Sequence, residues 1–359
     1  MGKYIKVALA LSIVAFLLFV LHPLSAAQKY GLIPYYDAIP NIVHYVYIKK
    51  DDDSRIEFHF ADFLSLYASI MYVGASKVYI HSDFNTTEIS EASVHGNEWT
   101  RKVMNSFPDK VEWNAVRAPN YSGTNEKMPI KAIQHKSDFV RWEGITPIGG
   151  VYMDWDVVVL RPLKPLLTAG FAFVAGRQMG PNTGDDDGSK QKTNNGVFMT
   201  RPNSLMARIM QREQSSNFAG DFESNLRFMT SVAERLVSIP GEVLICDRNA
   251  FAPTHWGAGS KNGLFLHHED LPSPEPVDTS SADPLDMYDN IVTNRRNRHE
   301  WEWDLSSSYT LHAFGQSKYN EWITPKKILA RTSNYGVAVW PTVKKMVEDG
   351  LIMGTEDTW

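Results

Sequence analysis

The sequence predicts an α/β fold with a mostly parallel central sheet. Three observations lead to this class. From Asn41 onward, short apolar segments alternate with longer segments of helical periodicity, as in strand–helix–strand units. Of the 359 residues, 43% are hydrophobic and 12% aromatic, which is enough to bury a large core. Gly149 and Gly150 precede a short apolar strand that ends in two aspartates, and ligands of open α/β sheets collect at the carboxyl ends of strands.

Strands and helices can be assigned in chain order from their periodicity. Gly74 is predicted to end the first helix, and Pro129 to lie in the first turn of the second. No linker divides the chain after Asn41, so a single folded domain is predicted. The predicted strands are 41–48, 77–82, 111–117, 150–153, 171–176 and 195–200; the predicted helices are 57–73, 129–145, 203–214 and 222–236; and 271–287, rich in Pro, Ser and Asp, is predicted to be a loop.

The N-terminus carries an apolar run, Val7–Leu21, directly after Lys3 and Lys6. This arrangement predicts either a membrane anchor with the lysines on the cytoplasmic side, or a secretory signal peptide cleaved near the small residues of "PLSAAQ". The anchor is favoured, and in both cases the body of the protein enters the secretory pathway. The predicted organisation is an anchor at 1–24, a stem at 25–40 and a folded domain at 41–359.

Composition excludes some classes of partner. The net charge is -5 and the pI about 6.1, and the only basic tract is 294–299, so nucleic acid is not a predicted partner. The single cysteine, Cys246, cannot form an intrachain disulfide. Asn85 and Asn120 lie in N-glycosylation tripeptides, which would be used if the domain is lumenal.

Two aspartates, Asp154 and Asp156, interrupt the apolar run 149–162. Buried carboxylates cost several kcal/mol each unless a positive group meets them. In an extended segment the two would point to one side and form a site for Mg²⁺ or Mn²⁺, completed by substrate phosphates. A solvated surface turn is the alternative. The apolar flanks favour the metal site.

A second enzymatic interpretation of this motif is a phosphatase of the haloacid-dehalogenase type. In that case Asp154 would be the nucleophile and Asp156 the acid/base. The later acidic motif of those enzymes is incomplete here, because "GDDDGS" at 184–189 lacks its final aspartate.

The surrounding sequence decides between these interpretations. "SDFVRWEGITPIGGVYMDWDVVVLRPL" (137–163) resembles the central motif of family-32 glycosyltransferases: S-D-x-x-R on a helix, G-G, an aromatic residue, D-x-D, then a basic residue and proline. The resemblance implies a GT-A fold in 41–359 as the catalytic domain. It implies transfer of a hexose, with retention, from a UDP- or GDP-linked donor to a glycan or glycolipid. It also implies Mn²⁺ or Mg²⁺ held by Asp154 and Asp156, and a Golgi membrane protein of type II with a lumenal catalytic domain; secretion after cleavage is the alternative.

A second segment, "LHAFGQSKYNEW" (311–322), resembles the H-x-x-G-x-x-K-P-W segment of other retaining GT-A enzymes, with Tyr319 in place of the proline. The resemblance implies that His312 completes the metal site and that Gly315 and Lys318 contact the donor diphosphate. The alternative for His312 is simple packing beside its aromatic neighbours.

Four polar residues before the D-x-D, namely Lys131, Gln134, Asp138 and Arg141, are spaced to share one helical face. A solvated stripe is the simple interpretation. Because Asp138 and Arg141 match the S-D-x-x-R of the family, we expect Asp138 to accept hydrogen bonds from donor-sugar hydroxyls. Arg141 would bind the sugar or diphosphate and keep Asp138 ionised.

Two further donor contacts are implied. Tyr47 lies where the family places an aromatic residue against the nucleotide base, or it is an ordinary half-buried strand residue. Asn195 would bind donor or acceptor hydroxyls, or form a turn. A protein of another class, which binds a sugar or nucleotide without turnover, would have the same fold, and hydrolysis of the donor separates the two.

Overall fold

The computed structural model describes residues 38–122, 128–178 and 191–359, which form one compact unit. The predicted anchor at 1–24, its cleavage alternative, most of the stem and the acidic loop 184–189 lie outside the described residues. Within the described part of the chain, no helix has both the length and the apolar character needed to cross a bilayer.

The secondary structure of the described residues alternates as the sequence predicts. The strands are β1 (Ile42–Val46), β2 (Lys77–Ser82), β3 (Val111–Ala115), β4 (Tyr121–Ser122), β5 (Met128–Pro129), β6 (Gly150–Met153), β7 (Val157–Val159), β8 (Phe173–Gln178), β9 (Lys192–Thr200), β10 (Val243–Cys246) and β11 (Thr310–His312). The helices are α1 (Phe60–Val73), α2 (Thr86–His95), α3 (Glu98–Asn105), α4 (Ile133–Ile145), α5 (Lys164–Leu167), α6 (Leu205–Asn217), α7 (Phe222–Leu236), α8 (Arg248–Phe251), α9 (Ala258–Phe265), α10 (Pro284–Asn297), α11 (Pro325–Leu329) and α12 (Asn334–Glu348), with a 3₁₀ segment at Gln316–Trp322.

The central sheet has seven strands in the order β10-β8-β9-β6-β1-β2-β3. β1 pairs in parallel with β2 and β6, β2 with β3, and β10 with β8. β9 runs antiparallel to both of its neighbours. The predicted α/β class with a mostly parallel sheet is therefore confirmed.

Helices cover both faces of this sheet, and β6 shows why its sequence is apolar throughout. Val151 and Met153 face the core that contains α1, whereas Tyr152 faces the core that contains α4 and α7. A strand that is buried on both faces needs apolar residues at every position rather than at alternate ones. The two aspartates thus follow a strand whose residues are all buried.

Two predicted element boundaries are wrong. Pro129 does not begin a helix, because it pairs with Tyr121 in β5, and α4 starts four residues later at Ile133. Lys131 consequently precedes α4 and does not share its face with Asp138 and Arg141.

The predicted loop 271–287 is also too long. Asp283 caps α10 by accepting a hydrogen bond from the Leu285 amide at 2.8 Å, and Pro284 occupies the first helical position. An Asp–Pro pair is a helix-start signal. The composition of the whole segment masked this local signal.

Candidate active site

The D-x-D segment is positioned by the glycines before it. Gly149 and Gly150 have φ angles of 71° and 128°, which residues with a Cβ adopt rarely. A Cβ on Gly150 would also lie only 2.3 Å from the carbonyl oxygen of Ile42, so glycine allows β6 to approach β1. Asp154 follows β6 directly, and its amide donates to the Gly196 carbonyl at 2.7 Å. The first carboxylate therefore lies at the carboxyl end of the central strand.

The segment is a turn, so the prediction of an extended D-x-D is wrong. The Val157 amide donates to the Asp154 carbonyl at 3.1 Å, and the chain reverses into β7, which pairs with β11. The reversal brings β7 alongside β11, and β11 carries His312. One ligand atom from each of Asp154, Asp156 and His312 lies within 4.8 Å of the others. The three predicted metal ligands are thus brought together, although not by the geometry expected.

His312 lies between Asp156 and Asn194. Its Nε2 is 3.2 Å from Asp156 Oδ1, and its Nδ1 is 3.0 Å from Asn194 Nδ2. Asn194 Oδ1 accepts from the Gly196 amide at 2.7 Å, which fixes its NH₂ group toward His312. A neutral His312 therefore accepts at Nδ1 and carries its proton on Nε2, facing Asp156. His312 also stacks on Phe314 at 3.8 Å, as the simpler interpretation expected.

A buried guanidinium links two of the carboxylates. Arg141 is 3% exposed, and its NH2 nitrogen lies 3.0 Å from Asp138 Oδ1 and 3.2 Å from Asp154 Oδ1. The guanidinium also lies 4.4 Å from the ring centre of Tyr152, whose hydroxyl donates to Asp154 at 2.6 Å. The interpretation of Asp138 and Arg141 as a solvated stripe is therefore wrong.

Asp138 is held by two asparagine side chains as well as by Arg141. Asn195 Nδ2 donates to Asp138 Oδ1 at 2.8 Å, and Asn225 Nδ2 donates to Oδ2 at 2.7 Å. Asn195 thus belongs to the same cluster as Asp138. Asn225 was not predicted from the sequence, because it lies 87 positions from Asp138 and no local pattern marks it.

The electrostatics of the two D-x-D carboxylates differ. Burial raises the pKa of Asp154, and the Arg141 charge only partly opposes this rise. Burial also opposes ionisation of Asp156, but the charge and hydrogen bond of His312 and the Gly315 amide hold the pKa of Asp156 below its usual value. Asp154 and Asp156 keep 28% and 22% of their side chains exposed, so a ligand can reach both.

Gly315 contacts the site through its backbone. It has a φ of 78°, and its amide donates to Asp156 Oδ2 at 2.6 Å. Lys318 lies three residues further on, in the 3₁₀ segment, with an exposed side chain. Tyr319, which replaces the proline of the family pattern, stacks on Phe265 at 4.4 Å and anchors this segment to α9.

Tyr47 lies in an aromatic cluster at the end of β1. Its ring packs against Phe58 at 4.6 Å, and its hydroxyl donates to the Glu57 carbonyl at 2.9 Å. Burial raises the pKa of Tyr47 to about 12. Trp155, the middle residue of the D-x-D, stacks on Tyr45 at 4.2 Å and donates from Nε1 to the Val46 carbonyl at 3.0 Å. These two contacts of Trp155 hold the D-x-D turn against β1, beside Tyr47.

Gly196 is a further site residue that sequence patterns did not identify. A Cβ at this position would lie 2.5 Å from His312 Cε1 and 2.8 Å from Asp154 Oδ2. Any side chain would thus enter the space between the carboxylate and the imidazole. Two carboxylates and an imidazole around a gap of this kind form a donor set that could hold a divalent cation.

Residues 44–171 match the family model described as a glycosyltransferase sugar-binding region containing a DXD motif. The match includes Asp138, Arg141, Asp154 and Asp156, and it confirms the resemblance to D-x-D glycosyltransferases. Assignment to family 32 itself stays a prediction. No curated protein matches the sequence significantly.

Three solved structures show the level of structural similarity. The PaToxG glycosyltransferase is 16% identical over 58% of this chain and 73% of its own, with a TM-score of 0.37. GlyE of Streptococcus pneumoniae TIGR4 is 10% identical over 89% and 66%, with a TM-score of 0.36. An active-site mutant of LgtC is 11% identical over 85% and 95%, with a TM-score of 0.38. Likeness at this level says nothing about the donor or acceptor of this chain.

Proposed function

We propose that this chain, a glycosyltransferase whose residues 44–171 are the sugar-binding region with the D-x-D motif, is a metal-dependent enzyme that moves a hexose from a UDP- or GDP-linked donor to a glycan or glycolipid. The convergence of Asp154, Asp156 and His312 within 4.8 Å carries this proposal. A phosphatase of the haloacid-dehalogenase type is not favoured by any observation, because the matched family uses the same D-x-D to bind sugar.

Charge balance supports the requirement for a cation. Asp138, Asp154 and Asp156 share the site with one guanidinium, that of Arg141. With His312 either neutral or protonated, the three carboxylates outnumber the positive groups before any donor binds. A nucleoside diphosphate would add to this excess. A divalent ion, Mn²⁺ or Mg²⁺, would bind the carboxylates and stabilise negative charge on the leaving diphosphate.

His312 would join Asp154 and Asp156 as a ligand only after its proton moves. Binding through Nε2 requires the proton on Nδ1, where the NH₂ group of Asn194 now points. Rotation of the Asn194 amide would turn its oxygen toward that proton, at the expense of the hydrogen bond to Gly196. The two carboxylates therefore supply the primary ligands, and His312 orients Asp156 until an ion is present.

The remaining residues would bind and orient the donor. The exposed ammonium of Lys318 would contact the diphosphate, as would the Gly315 amide when Asp156 turns to the ion. The aromatic rings around Tyr47 would pack against the nucleotide base of the donor. The Asp138 carboxylate would accept hydrogen bonds from sugar hydroxyls, and the Asn195 amide would donate to or accept from them.

Arg141 would act at the bond that breaks. Arg141 lies between Asp138 and Asp154, and a donor bound there would have this positive charge near the bond between its sugar and its diphosphate. In the reaction an acceptor hydroxyl oxygen bonds to the anomeric carbon, its proton leaves, and the bond from that carbon to the diphosphate breaks. We propose retention of configuration, and a β-linked first product from an α-linked donor, seen by NMR, would contradict it.

We also propose that the catalytic domain is lumenal, in the Golgi, and attached to the membrane by the predicted anchor at 1–24. The lysines before the apolar run support this orientation. Asn85 and Asn120 are both exposed, so glycans could reach them. Protease protection tests the topology: digestion of the C-terminus in intact vesicles without detergent would contradict it.

The experiment that tests the function is an assay of donor cleavage. The purified domain is incubated with Mn²⁺ and a panel of UDP- and GDP-sugars, and free nucleotide is measured with and without chelator. We expect metal-dependent release from one nucleotide class. Binding of a nucleotide with no release from any donor would instead indicate the alternative, a sugar- or nucleotide-binding protein without turnover.

A further inference from the structure

An exposed aromatic side chain begins α7, the helix whose Asn225 holds Asp138. Phe222, the first residue of α7, is 63% exposed, and its ring centre lies 4.4 Å from that of His135 in α4. Single exposed apolar residues are common on protein surfaces. The position of this one relative to the site, rather than its exposure, is therefore what needs an explanation.

The helices α4 and α7 contact each other in successive turns that lead inward. His135 meets Phe222, and three residues further along each helix Asp138 meets Asn225 at 2.7 Å. Residues three apart lie on the same helical face, one turn or about 5 Å along the axis. Phe222 consequently lies about one helical turn outward from Asp138.

Arg141 continues this row by three more residues and reaches Asp154 at 3.2 Å. Phe222 is 63% exposed, whereas His135, Asp138 and Arg141 are all buried, at 5%, 7% and 3%. The row therefore runs from solvent to the D-x-D, with an aromatic face at its outer end.

We propose that Phe222, backed by His135, is the platform on which the sugar ring of the acceptor stacks. This proposal rests on the proposed transfer reaction. If Asp138 binds the donor sugar, the accepting hydroxyl must lie next to it, and the rest of the acceptor ring must extend outward. A pyranose presents an apolar C–H face that suits an aromatic ring, whereas its rim of hydroxyls suits the polar groups of Asp138 and Asn225.

A second observation indicates a polar partner at the same place. His135 is 5% exposed, and its Nε2 has no hydrogen-bond partner in the part of the chain that the structure describes. A buried, unpaired ring nitrogen costs free energy. A sugar hydroxyl that enters beside Phe222 would supply the missing partner.

The surroundings of Phe222 are apolar on one side and polar on the other. Exposed apolar groups on one side are Met128 of β5, whose Sδ lies near Gly220, and Tyr121 of the paired strand β4. Asp221, the cap of α7, is polar and adjacent. The Phe222 ring matches the apolar C–H face of a pyranose, and the polar side matches its hydroxyls.

The test compares Phe222→Ala with Tyr288→Ala, because Tyr288 is 64% exposed on α10 and has no place in the site. Two rates are measured with Mn²⁺: hydrolysis of the sugar nucleotide by water, and transfer to a panel of methyl α- and β-hexosides. We expect Phe222→Ala to raise the acceptor KM about tenfold, the scale of a lost aromatic stack. Hydrolysis should stay within about twofold, since no donor contact is removed.

Two further variants separate stacking from structure. Phe222→Tyr keeps the ring and should restore acceptor KM. His135→Phe keeps the aromatic support but removes the nitrogen, so it should raise acceptor KM while hydrolysis stays nearly unchanged and the melting temperature does not fall.

Each result of these assays either supports the platform or overturns it. No hydrolysis of any sugar nucleotide by the wild type would overturn the proposed function, and the platform with it. Normal hydrolysis with no methyl hexoside accepted by the wild type would overturn the platform alone. An equal fall of hydrolysis and transfer in Phe222→Ala, or the same loss in Tyr288→Ala, would also overturn it.

Discussion

Polar side chains are buried at both ends of β6, and the two clusters satisfy their groups in different ways. At the amino end, His44 Nε2 lies 2.9 Å from the Gly149 carbonyl, and His44 Nδ1 lies 2.9 Å from His81 Nε2. Asn114 Nδ2 lies 2.8 Å from His81 Nδ1. At the carboxyl end, Asp154 begins the ionic cluster of carboxylates, Arg141 and His312.

The histidine cluster is complete and neutral. The Gly149 carbonyl can only accept, so His44 Nε2 donates to it, His81 Nε2 donates to His44 Nδ1, and Asn114 donates to His81 Nδ1. Burial, together with the neighbouring His81, lowers the pKa of His44 to about 3, and burial lowers the pKa of His81 to about 4. Every ring nitrogen of this pair has a partner from the same chain.

In the ionic cluster, by contrast, the carboxylates outnumber the fixed positive charges. A buried polar group that finds all its partners within the chain contributes to folding. A cluster that leaves charge unbalanced marks a place where a ligand binds. Variants in the two clusters should therefore fail in different assays.

The largest effect is expected at the carboxylates. Asp156→Ala and chelation should each lower metal-dependent donor hydrolysis by about 10³-fold, because the ion that stabilises the leaving diphosphate is lost. Asp154→Ala should be nearly as severe. The rates of nucleotide release and the far-UV CD spectra are compared with those of Asp357→Ala, which removes an exposed carboxylate paired with Lys326. Full activity of Asp156→Ala without metal would refute the ion site.

Gly196→Ala should cause the next largest loss, about 10²-fold in turnover, because its Cβ would occupy the gap between His312 and Asp154. The matched control is Gly259→Ala in α9, where a Cβ would meet nothing within 4 Å. Mn²⁺ titration of both variants is the measurement. If Gly196→Ala binds Mn²⁺ and turns over like the control, the gap is not the ion site.

Arg141→Lys keeps the charge but loses the planar group that contacts Asp138, Asp154 and the Asn195 carbonyl at once. We expect a fall of about 10- to 100-fold in turnover. Asp138→Asn should lower turnover more than it lowers affinity for the nucleoside diphosphate, because the proposed contact is to the sugar. Calorimetry with UDP and GDP, run beside the turnover assay, checks both; near-normal turnover in both variants would contradict the assigned roles.

The histidine cluster should affect stability instead of chemistry. Because His44 and His81 have pKa values far below the unfolded value of 6.5, the unfolded chain binds more protons between about pH 4 and 6.5. Their contribution is full above pH 6.5 and is lost as the pH falls. We expect the free energy of unfolding to decrease by about 1.4 kcal/mol per pH unit for each histidine in this window.

Urea titrations between pH 5 and 7.5 measure this slope. His44→Gln should lower stability at pH 7.5 and flatten the slope, whereas His95→Gln, a change at an exposed helix end, should alter neither. A slope unchanged in His44→Gln would contradict the neutral pairing.

Lys318→Ala should have the smallest effect, a threefold to tenfold weaker binding of UDP or GDP, because its exposed ammonium is screened by salt. The difference from wild type should shrink at high ionic strength. Lys344→Ala, an exposed lysine paired with Glu275, is the control. Equal affinity in Lys318→Ala at low salt would remove this residue from the donor site.

The sequence was informative where a feature is local. β2 and β6 have the predicted bounds, as does α7, because each is a continuous apolar or periodic run between clear breaks. The helix start at Pro284 was missed since composition outweighed a two-residue signal.

The site residues show the same contrast between local motifs and contacts across the fold. Asp154 and Asp156 lie two positions apart in one motif, and a second motif predicted His312. Asn225 and Gly196 belong to the site only through contacts across the fold, so spacing along the chain cannot reveal them. The direction of the turn after Asp154 depends on β11, and for that reason the extended geometry was wrong.

Because β7 pairs with β11, the site can be completed only after β11 has been synthesised. Asp156 and the Gly315 amide that holds it are 159 positions apart. At ribosomal speed, the two carboxylates emerge on the order of ten seconds before His312 and Gly315 can reach them. A nascent chain therefore carries the acids of the D-x-D without their histidine. A chain stopped before β11 should therefore be unable to cleave a donor.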